Sequence, residues 1–158
     1  MLKCHRAAST AGLAVLASLA ITVAAWSASV EITARSKAPF GNYLTDGNGR
    51  TVYMFTADTK DKSACIGACT TPWPPVLTSG APTTGSGTQA SALGTIKRGN
   101  EEQVTYDGMP LYYFIRDKAM GSTAGEGITH FGGSWYVVSP AGKGILPTGK
   151  ELAAAKTR

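Results

Sequence analysis

The sequence is poor in the residues from which most enzyme and metal sites are built. Its 158 residues include only two His, three Cys and ten Asp or Glu. Any nucleophilic triad of an exported chain would have to use His130, and no Gly-x-Ser-x-Gly elbow precedes a helical pattern. The Gly-rich stretch 121–133 lacks the strand–loop–helix context of a nucleotide site. These absences predict a protein that is not an enzyme.

Long apolar runs are also scarce, and the single one present is typical of an export signal. Lys3 and Arg6 precede an apolar run over residues 11–25, which is too short to span a bilayer. Residues 25–27, Ala-Trp-Ser, offer the small side chains that a cleavage site needs. We therefore expect residues 1–27 to be a signal peptide, cut after Ser27 or a few residues to either side, and no transmembrane segment after cleavage.

Cleavage after Ser27 leaves 131 residues with 13 basic and 10 acidic side chains, a net charge of +3. With no basic cluster longer than Lys97-Arg98, this small excess predicts no nucleic-acid partner. Cys4 precedes the apolar run, so we expect no lipid anchor on a cysteine after it. The predicted location is periplasmic or secreted, where the compartment is oxidising.

Short β-branched and aromatic runs between turn residues predict an all-β fold, a small single domain of antiparallel strands. The tetrapeptide 46–49, Asp-Gly-Asn-Gly, is a strong hairpin signal because Gly and Asn tolerate positive φ. The predicted strands are Gly41–Thr45, Arg50–Thr56, Leu93–Arg98, Gln103–Tyr106, Pro110–Arg116 and Ser134–Ser139.

The remaining segments are predicted to flank or interrupt this domain. Residues 28–40 are polar without a clear period and predict a leader arm before a domain over 41–142. Residues 78–92 are rich in Gly, Ser and Thr and predict a long flexible loop. Residues 143–158 predict a flexible tail.

An internal repeat divides the predicted domain into half-repeats at about 41–77 and 93–142. Residues 48–58 align without a gap on residues 107–117, and both contain Tyr-x-Phe-x-x-Asp. Both faces of these segments are apolar, which predicts two central strands covered on both sides. The motif residues are Tyr53, Phe55 and Asp58 in the first half and Tyr112, Phe114 and Asp117 in the second.

The repeated side chains allow a structural and a functional interpretation. Tyr53 and Phe55 share one face of a strand, and aromatic side chains of central strands usually fill a core. The alternative, an aromatic surface that binds a glycan, requires Tyr53 and Tyr112 to be exposed. Each Asp directly follows its strand, where a carboxylate can bond backbone N–H groups and shape a turn. Asp58 and Asp117 could serve as a catalytic acid and base only if they met within a few ångströms.

Cys65 and Cys69 are the most informative pair, with Gly67 between them. One helical turn separates such Cα atoms by about 6 Å, within reach of a disulfide, and export favours one. So short a loop contributes only about 2 kcal/mol. The alternative is copper, because two thiolates with His130 and Met120 could hold the soft Cu(I) ion. The sequence thus predicts a structural disulfide and no cofactor, with copper as the alternative.

Three features together resemble the bacterial secreted-repeat family, described as predicted lipoproteins with a Tyr-x-(Phe/Trp/Tyr)-x-x-Asp motif. They are the doubled motif, the segment Cys65–Cys69 followed by Trp73-Pro74-Pro75, and the closing Gly133–Val138 that contains Trp135. The resemblance implies an exported β-rich domain of generally unknown activity.

The favoured functional hypothesis is an exported accessory or binding protein of the cell envelope, non-enzymatic and with an unidentified partner or ligand. The alternative is a redox or copper-binding periplasmic protein that uses Cys65, Cys69 and His130.

Overall fold

The computed structural model describes residues 29–153, so the predicted signal peptide lies outside the described residues. This part of the chain forms eleven short strands and two 3₁₀ turns, Gly67–Thr70 and Ala90–Ala92. No helix in it is long and apolar enough to cross a membrane. The strands are β1 Glu31–Lys37, β2 Gly41–Asp46, β3 Tyr53–Phe55, β4 Leu77–Thr78, β5 Thr83–Thr84, β6 Leu93–Arg98, β7 Glu101–Tyr106, β8 Met109–Pro110, β9 Thr129–His130, β10 Gly133–Val138 and β11 Gly144–Ile145.

The strands form three small sheets. Their orders are β2-β1-β5, then β11-β10-β3 with β9 beside β10, and β4-β7-β6 with β8 beside β7. All pairings are antiparallel except that of β1 with β5. The expected all-β class is therefore confirmed, and the hairpins β1–β2 and β6–β7 open the two halves.

The closing segment of each half pairs with the motif of the other half. β10 lies antiparallel to β3, with Val137 opposite Tyr53. In the same way, Pro75 of the first half bridges to Tyr112 of the second. The amides of Tyr53 and Tyr112 donate to each other's carbonyl at 2.8 and 3.0 Å. A pseudo-two-fold axis thus passes between these two tyrosines.

Buried side chains form two core clusters. One contains aromatic rings, the two cysteines and aliphatic residues, namely Tyr43, Tyr53, Phe55, Cys65, Cys69, Trp73, Tyr112, Phe114, Trp135, Val137 and Ile145. The other is mainly aliphatic, with Ile32, Leu44, Val52, Met54, Val76, Val104, Tyr106, Leu111 and Val138. Residues of both halves contribute to each cluster, so neither half has a core of its own.

The predicted leader arm is wrong over residues 31–37, which form β1 and pair along β2 in a six-residue register. Ile32, in this strand, is fully buried in the second cluster. The hairpin ends at a three-residue turn, residues 38–40. Apolar and polar residues do not alternate clearly along β1, because its side chains other than Ile32 are only partly buried or exposed.

The loop and tail predictions are also corrected in part. Residues 83–84, inside the predicted flexible loop, form β5 and pair with β1. Residues 144–145, inside the predicted tail, form β11 and pair with β10, and Ile145 is buried. These segments carry few apolar side chains, so their order depends on backbone bonds to strands that lie far away in the sequence.

The predicted strand Arg50–Thr56 is reduced to β3, and the predicted strand Pro110–Arg116 overlaps β8 only at Pro110. The second motif runs beside the segment 72–75, which contains three prolines. Tyr113 and Ile115 donate to two proline carbonyls of this segment at 2.8 and 3.0 Å. Proline has no N–H to donate in return, so a regular ladder cannot form.

Candidate functional site

The motif residues form two reciprocal hydrogen-bonded pairs across the pseudo-two-fold axis. The Tyr53 hydroxyl donates to Asp117 Oδ2 at 2.6 Å, and the Tyr112 hydroxyl donates to Asp58 Oδ2 at 2.7 Å. Each tyrosine therefore bonds the aspartate of the other half. Both tyrosines are fully buried and both aspartates are less than 10% exposed. The pairs hold the two halves together rather than presenting carboxylates to a substrate.

The second oxygen of each aspartate shapes the following turn. Asp58 Oδ1 accepts the Ala64 N–H at 2.7 Å, and Asp117 Oδ1 accepts the Ala124 N–H at 2.8 Å. This is the turn-shaping role that the sequence predicts for both aspartates. The catalytic alternative is disfavoured because each carboxylate is bonded to a tyrosine and a turn instead of to the other carboxylate.

Burial perturbs the acidity of these groups. Desolvation raises the pKa of Asp58 and of Asp117, while their hydrogen bonds to tyrosine and backbone act in the opposite direction. Desolvation, together with the neighbouring carboxylates, raises the pKa of Tyr53 and of Tyr112 well above the ordinary tyrosine range. Both phenols therefore remain protonated donors at neutral pH.

Four aromatic rings stack through the centre of the molecule. Trp73 and Trp135 are parallel, with ring centroids 3.9 Å apart and an interplanar angle of 3°. Phe55 stacks on Trp135 at 4.1 Å, and Phe114 stacks on Trp73 at 4.4 Å. Each tryptophan thus contacts the motif phenylalanine of the other half, so the stack has the same crossed arrangement as the tyrosine–aspartate pairs.

The hypothesis of an exposed aromatic surface for glycans is wrong. It requires Tyr53 and Tyr112 to be accessible, and both have 0% exposure. Tyr53 also meets Trp73 edge-to-face at 5.4 Å, and Tyr112 meets Trp135 in the same way at 5.1 Å. The rings fill the core because edge-to-face and stacked contacts add to the free energy of burying aromatic area.

A disulfide joins Cys65 and Cys69, whose Cα atoms are 5.3 Å apart. Both cysteines are buried in the aromatic cluster. The other two members of the copper alternative are both exposed, His130 at the end of β9 and Met120 with 66% exposure. Among residues 29–153, no three His, Cys, Asp or Glu side chains are grouped to hold a metal ion.

The disulfide ring presents an apolar side chain beside a groove. Ile66, inside the ring, is 71% exposed. It borders a cavity of about 830 Å³ whose apolar lining includes Pro75, Leu77 and Ile96. Leu77 and Ile96 both lie opposite Gln103 in the sheet β4-β7-β6, so they share one face of that sheet.

Arg98, at the end of β6, fixes the disulfide ring against the sheet. Its guanidinium donates to Ser63 Oγ at 2.6 Å and to the Cys65 carbonyl at 3.0 Å. Ser63 in turn lies 2.7 Å from the Tyr112 hydroxyl. The groove wall is thereby connected to the buried tyrosine–aspartate pair. Sequence reasoning missed Arg98 and Ser63, because neither lies in a motif.

Glu126 is a second group that the sequence did not reveal. Its Oε2 accepts the Val137 N–H at 2.7 Å, whereas its buried Oε1 has no hydrogen-bond partner in the described part of the chain. Burial raises the pKa of this carboxyl to about 7. Its position in a Gly-rich stretch, with no repeat equivalent in the motif, offers no signal from which to predict this.

A family model described as a secreted repeat of unknown function matches the chain twice, over residues 35–77 and 94–139. The two matches correspond to the two halves related by the pseudo-two-fold axis and together cover more than half of the chain. Trp73 and Trp135 lie four residues before the ends of their matches, which makes them equivalent positions. No curated protein and no solved structure matches the chain. The chain belongs to the family of secreted repeats of unknown function, and it is a secreted protein.

Proposed function

We propose that this chain is a non-enzymatic binding protein of the cell envelope, acting in the periplasm or after secretion. The observation that carries the proposal is Ile66, an exposed apolar side chain on a backbone closed by the disulfide, beside a groove lined by both apolar and charged residues. The repeated motif supports it indirectly, because its hydroxyl and carboxylate groups are bonded inside the core. The repeated polar groups therefore build a scaffold, and the groove is available for a partner.

The rigidity of Ile66 favours binding. The disulfide closes a five-residue ring around it, and Arg98 donates to the carbonyl of the preceding residue. Covering an exposed isoleucine contributes about 1–2 kcal/mol, since full burial contributes about 1.5–3 kcal/mol. A residue whose backbone is already held in place loses little backbone conformational entropy when a partner binds. Ile66 is thus suited to be a central contact of a small interface.

Photo-crosslinking at the groove tests the proposal. A photoreactive amino acid replaces Ile66 in one variant and Ile115 in a matched control, because Ile115 is also exposed, at 45%, but does not line the groove. The variants are exported by the cells that make the protein, illuminated, and analysed by mass spectrometry. We expect one discrete protein adduct at position 66 and none at position 115.

Competition distinguishes a specific adduct from chance capture. Excess unlabelled protein should suppress the adduct at position 66, whereas excess Ile66→Asp protein should not. Equal adduct yields at the two positions, or equal competition by both proteins, would show that the groove is not the binding surface.

A further inference from the structure

The outer edge of β1 is covered by a segment of the same chain. β5 and the residues after it lie parallel to β1, with Glu31 opposite Thr83. The Gly85 N–H donates to the Ile32 carbonyl at 2.7 Å, and the Ala34 N–H donates to the Ser86 carbonyl at 2.8 Å. The chain therefore fills this sheet edge by adding a short extended strand.

β6 is the counterpart of β1 in the second half. In the first half, Thr45 pairs with Thr33 on one side and with Thr51 on the other. In the second half, Thr105 pairs in the same way with Gly94 and with Pro110. Because Thr51 and Pro110 are equivalent in the repeat alignment, Gly94 is the counterpart of Thr33, and its neighbours Leu93 and Thr95 are the counterparts of Ile32 and Ala34.

A second contact supports the same register. The Gly47 N–H donates to the Glu31 carbonyl at 2.9 Å, and the Asp107 N–H donates to the Ala92 carbonyl at 2.7 Å. Ala92 is therefore the counterpart of Glu31.

The outer edge of β6 differs from that of β1 in having no strand beside it. β6 ends the sheet order β4-β7-β6, and within residues 29–153 it pairs only with β7. The register places the backbone groups of Leu93 and Thr95 on the open edge, where those of Ile32 and Ala34 bond β5 and its continuation. An unpaired edge of this kind is a template for a further strand.

The two edges also differ in the room that they leave. A Cβ atom added to Gly85 would meet Thr33 Cβ at 2.6 Å and Thr33 Oγ1 at 2.8 Å, and would also clash with the Glu31 carboxylate. The β1 edge therefore requires glycine at this position of its partner strand. On β6 the equivalents of Glu31 and Thr33 are Ala92 and Gly94, so a partner strand can carry a side chain there.

We infer that the open edge of β6 binds an extended segment of another envelope protein, added parallel to β6 and carrying a side chain opposite Gly94. This inference rests on the proposed binding function and names the partner's form. The occupied edge of β1 supplies the hydrogen-bonding pattern, in which main-chain bonds give affinity and alternate side chains give specificity. Ile96 lies on the same face as Gly94 and lines the groove beside Ile66, so the segment would continue into that groove.

Peptide titration followed by NMR tests the inference with the full exported chain. The probes are the peptide of residues 81–88, its Gly85→Val form, and a Gly85→Val form methylated on the amide nitrogen of that residue. We expect both unmethylated peptides to shift the amide signals of residues 93–97, with the Gly85→Val form about fivefold tighter because Val favours strands. The methylated form should not bind, because it lacks the donor equivalent to Gly85 N–H.

A protein variant provides the complementary control. Thr95→Pro removes the edge donor while leaving the bonds to β7, and it should abolish the shifts, whereas Thr95→Ala should retain them. Shifts confined to residues 31–34, or no shifts at all, would overturn the inference, as would binding of the methylated peptide. Concentration-dependent shifts of residues 93–97 without peptide would assign the edge to a second copy instead. A specific adduct at position 66 in the crosslinking experiment would leave the binding function standing in each of these cases.

Discussion

The reciprocal tyrosine–aspartate pairs make a sharp prediction for Tyr53→Phe. The substitution keeps the ring in the aromatic core but removes the 2.6 Å bond to Asp117 and leaves the Gly125 N–H, 3.3 Å from the same hydroxyl, without this acceptor. A hydrogen bond to a charged group contributes about 1.5–3 kcal/mol, and a buried donor without a partner costs about 1 kcal/mol more. We expect a loss of about 2–4 kcal/mol in the free energy of unfolding.

Chemical and thermal denaturation of the exported chain measure this loss. For a domain of this size, about 2–4 kcal/mol corresponds to a decrease in Tm of roughly 6–15 °C. Tyr136→Phe is the matched control, since the Tyr136 hydroxyl makes no hydrogen bond among the residues that the structure describes, and it should change stability by less than about 0.5 kcal/mol. Asp117→Asn and the double variant complete a mutant cycle, in which the pair should show a coupling energy of at least about 1 kcal/mol.

The dependence on pH adds a second check. The Tyr53 bond favours the ionised form of Asp117, so the pKa of Asp117 should rise further in the variant. The loss of stability should consequently shrink as the pH falls through the pKa of this carboxyl, because the protonated form depends less on the bond. A Tyr53→Phe variant as stable as the wild type, or one without coupling to Asp117, would refute the reasoning.

Three other predictions concern the remaining buried groups and the crossed halves. Because burial raises the pKa of Glu126 from 4.5 to about 7, the folded state binds this proton more tightly than the unfolded state, and stability should fall as the pH rises from 4.5 to 7. Urea titrations at pH 8 should show Glu126→Gln to be more stable than the wild type by about 1–2 kcal/mol, a value reduced to allow for the partial exposure of Glu126. If the stabilities of the variant and the wild type depended on pH in the same way, this prediction would be contradicted. Intact mass after native thiol blocking should show the loss of two hydrogens and no alkylation at Cys65 and Cys69, whereas two alkylated thiols would support the copper alternative. Fragments 29–92 and 93–153 should be unfolded alone by circular dichroism and fold when mixed, and independent folding of either would argue against a shared core.

Local patterns explain what the sequence predicts correctly. The Asp-Gly-Asn-Gly turn is formed, with the Asp46 N–H donating to the Arg50 carbonyl at 2.8 Å and Gly49 at a φ of +80°. The turns after Asp58 and Asp117 use acceptors and donors six or seven residues apart. Such features depend on backbone conformation and near neighbours, so residue type and spacing are sufficient to predict them.

The errors fall where order depends on distant partners. Residues 31–37 and 83–84 have weak patterns of their own. Residues 31–37 become a strand through backbone bonds to β2 and β5, and residues 83–84 become one through bonds to β1. The segment 144–145 becomes ordered in the same way against β10. The prolines of the segment 72–75 shorten a strand that lies about 40 residues away in the chain, which no reading of the strand itself can detect.

The sequence by itself determined the all-β class, the two repeats and their family, because strand alternation, turn residues and the doubled motif each lie within a short segment of the chain. Only the tertiary structure decided that each tyrosine bonds the aspartate of the opposite half, across 54 and 64 residues. It also decided that Ile66 stands beside a groove and that one of two equivalent sheet edges is left open. These features depend on how the two halves pack against each other, and that packing is determined by burial of the combined core rather than by any local pattern.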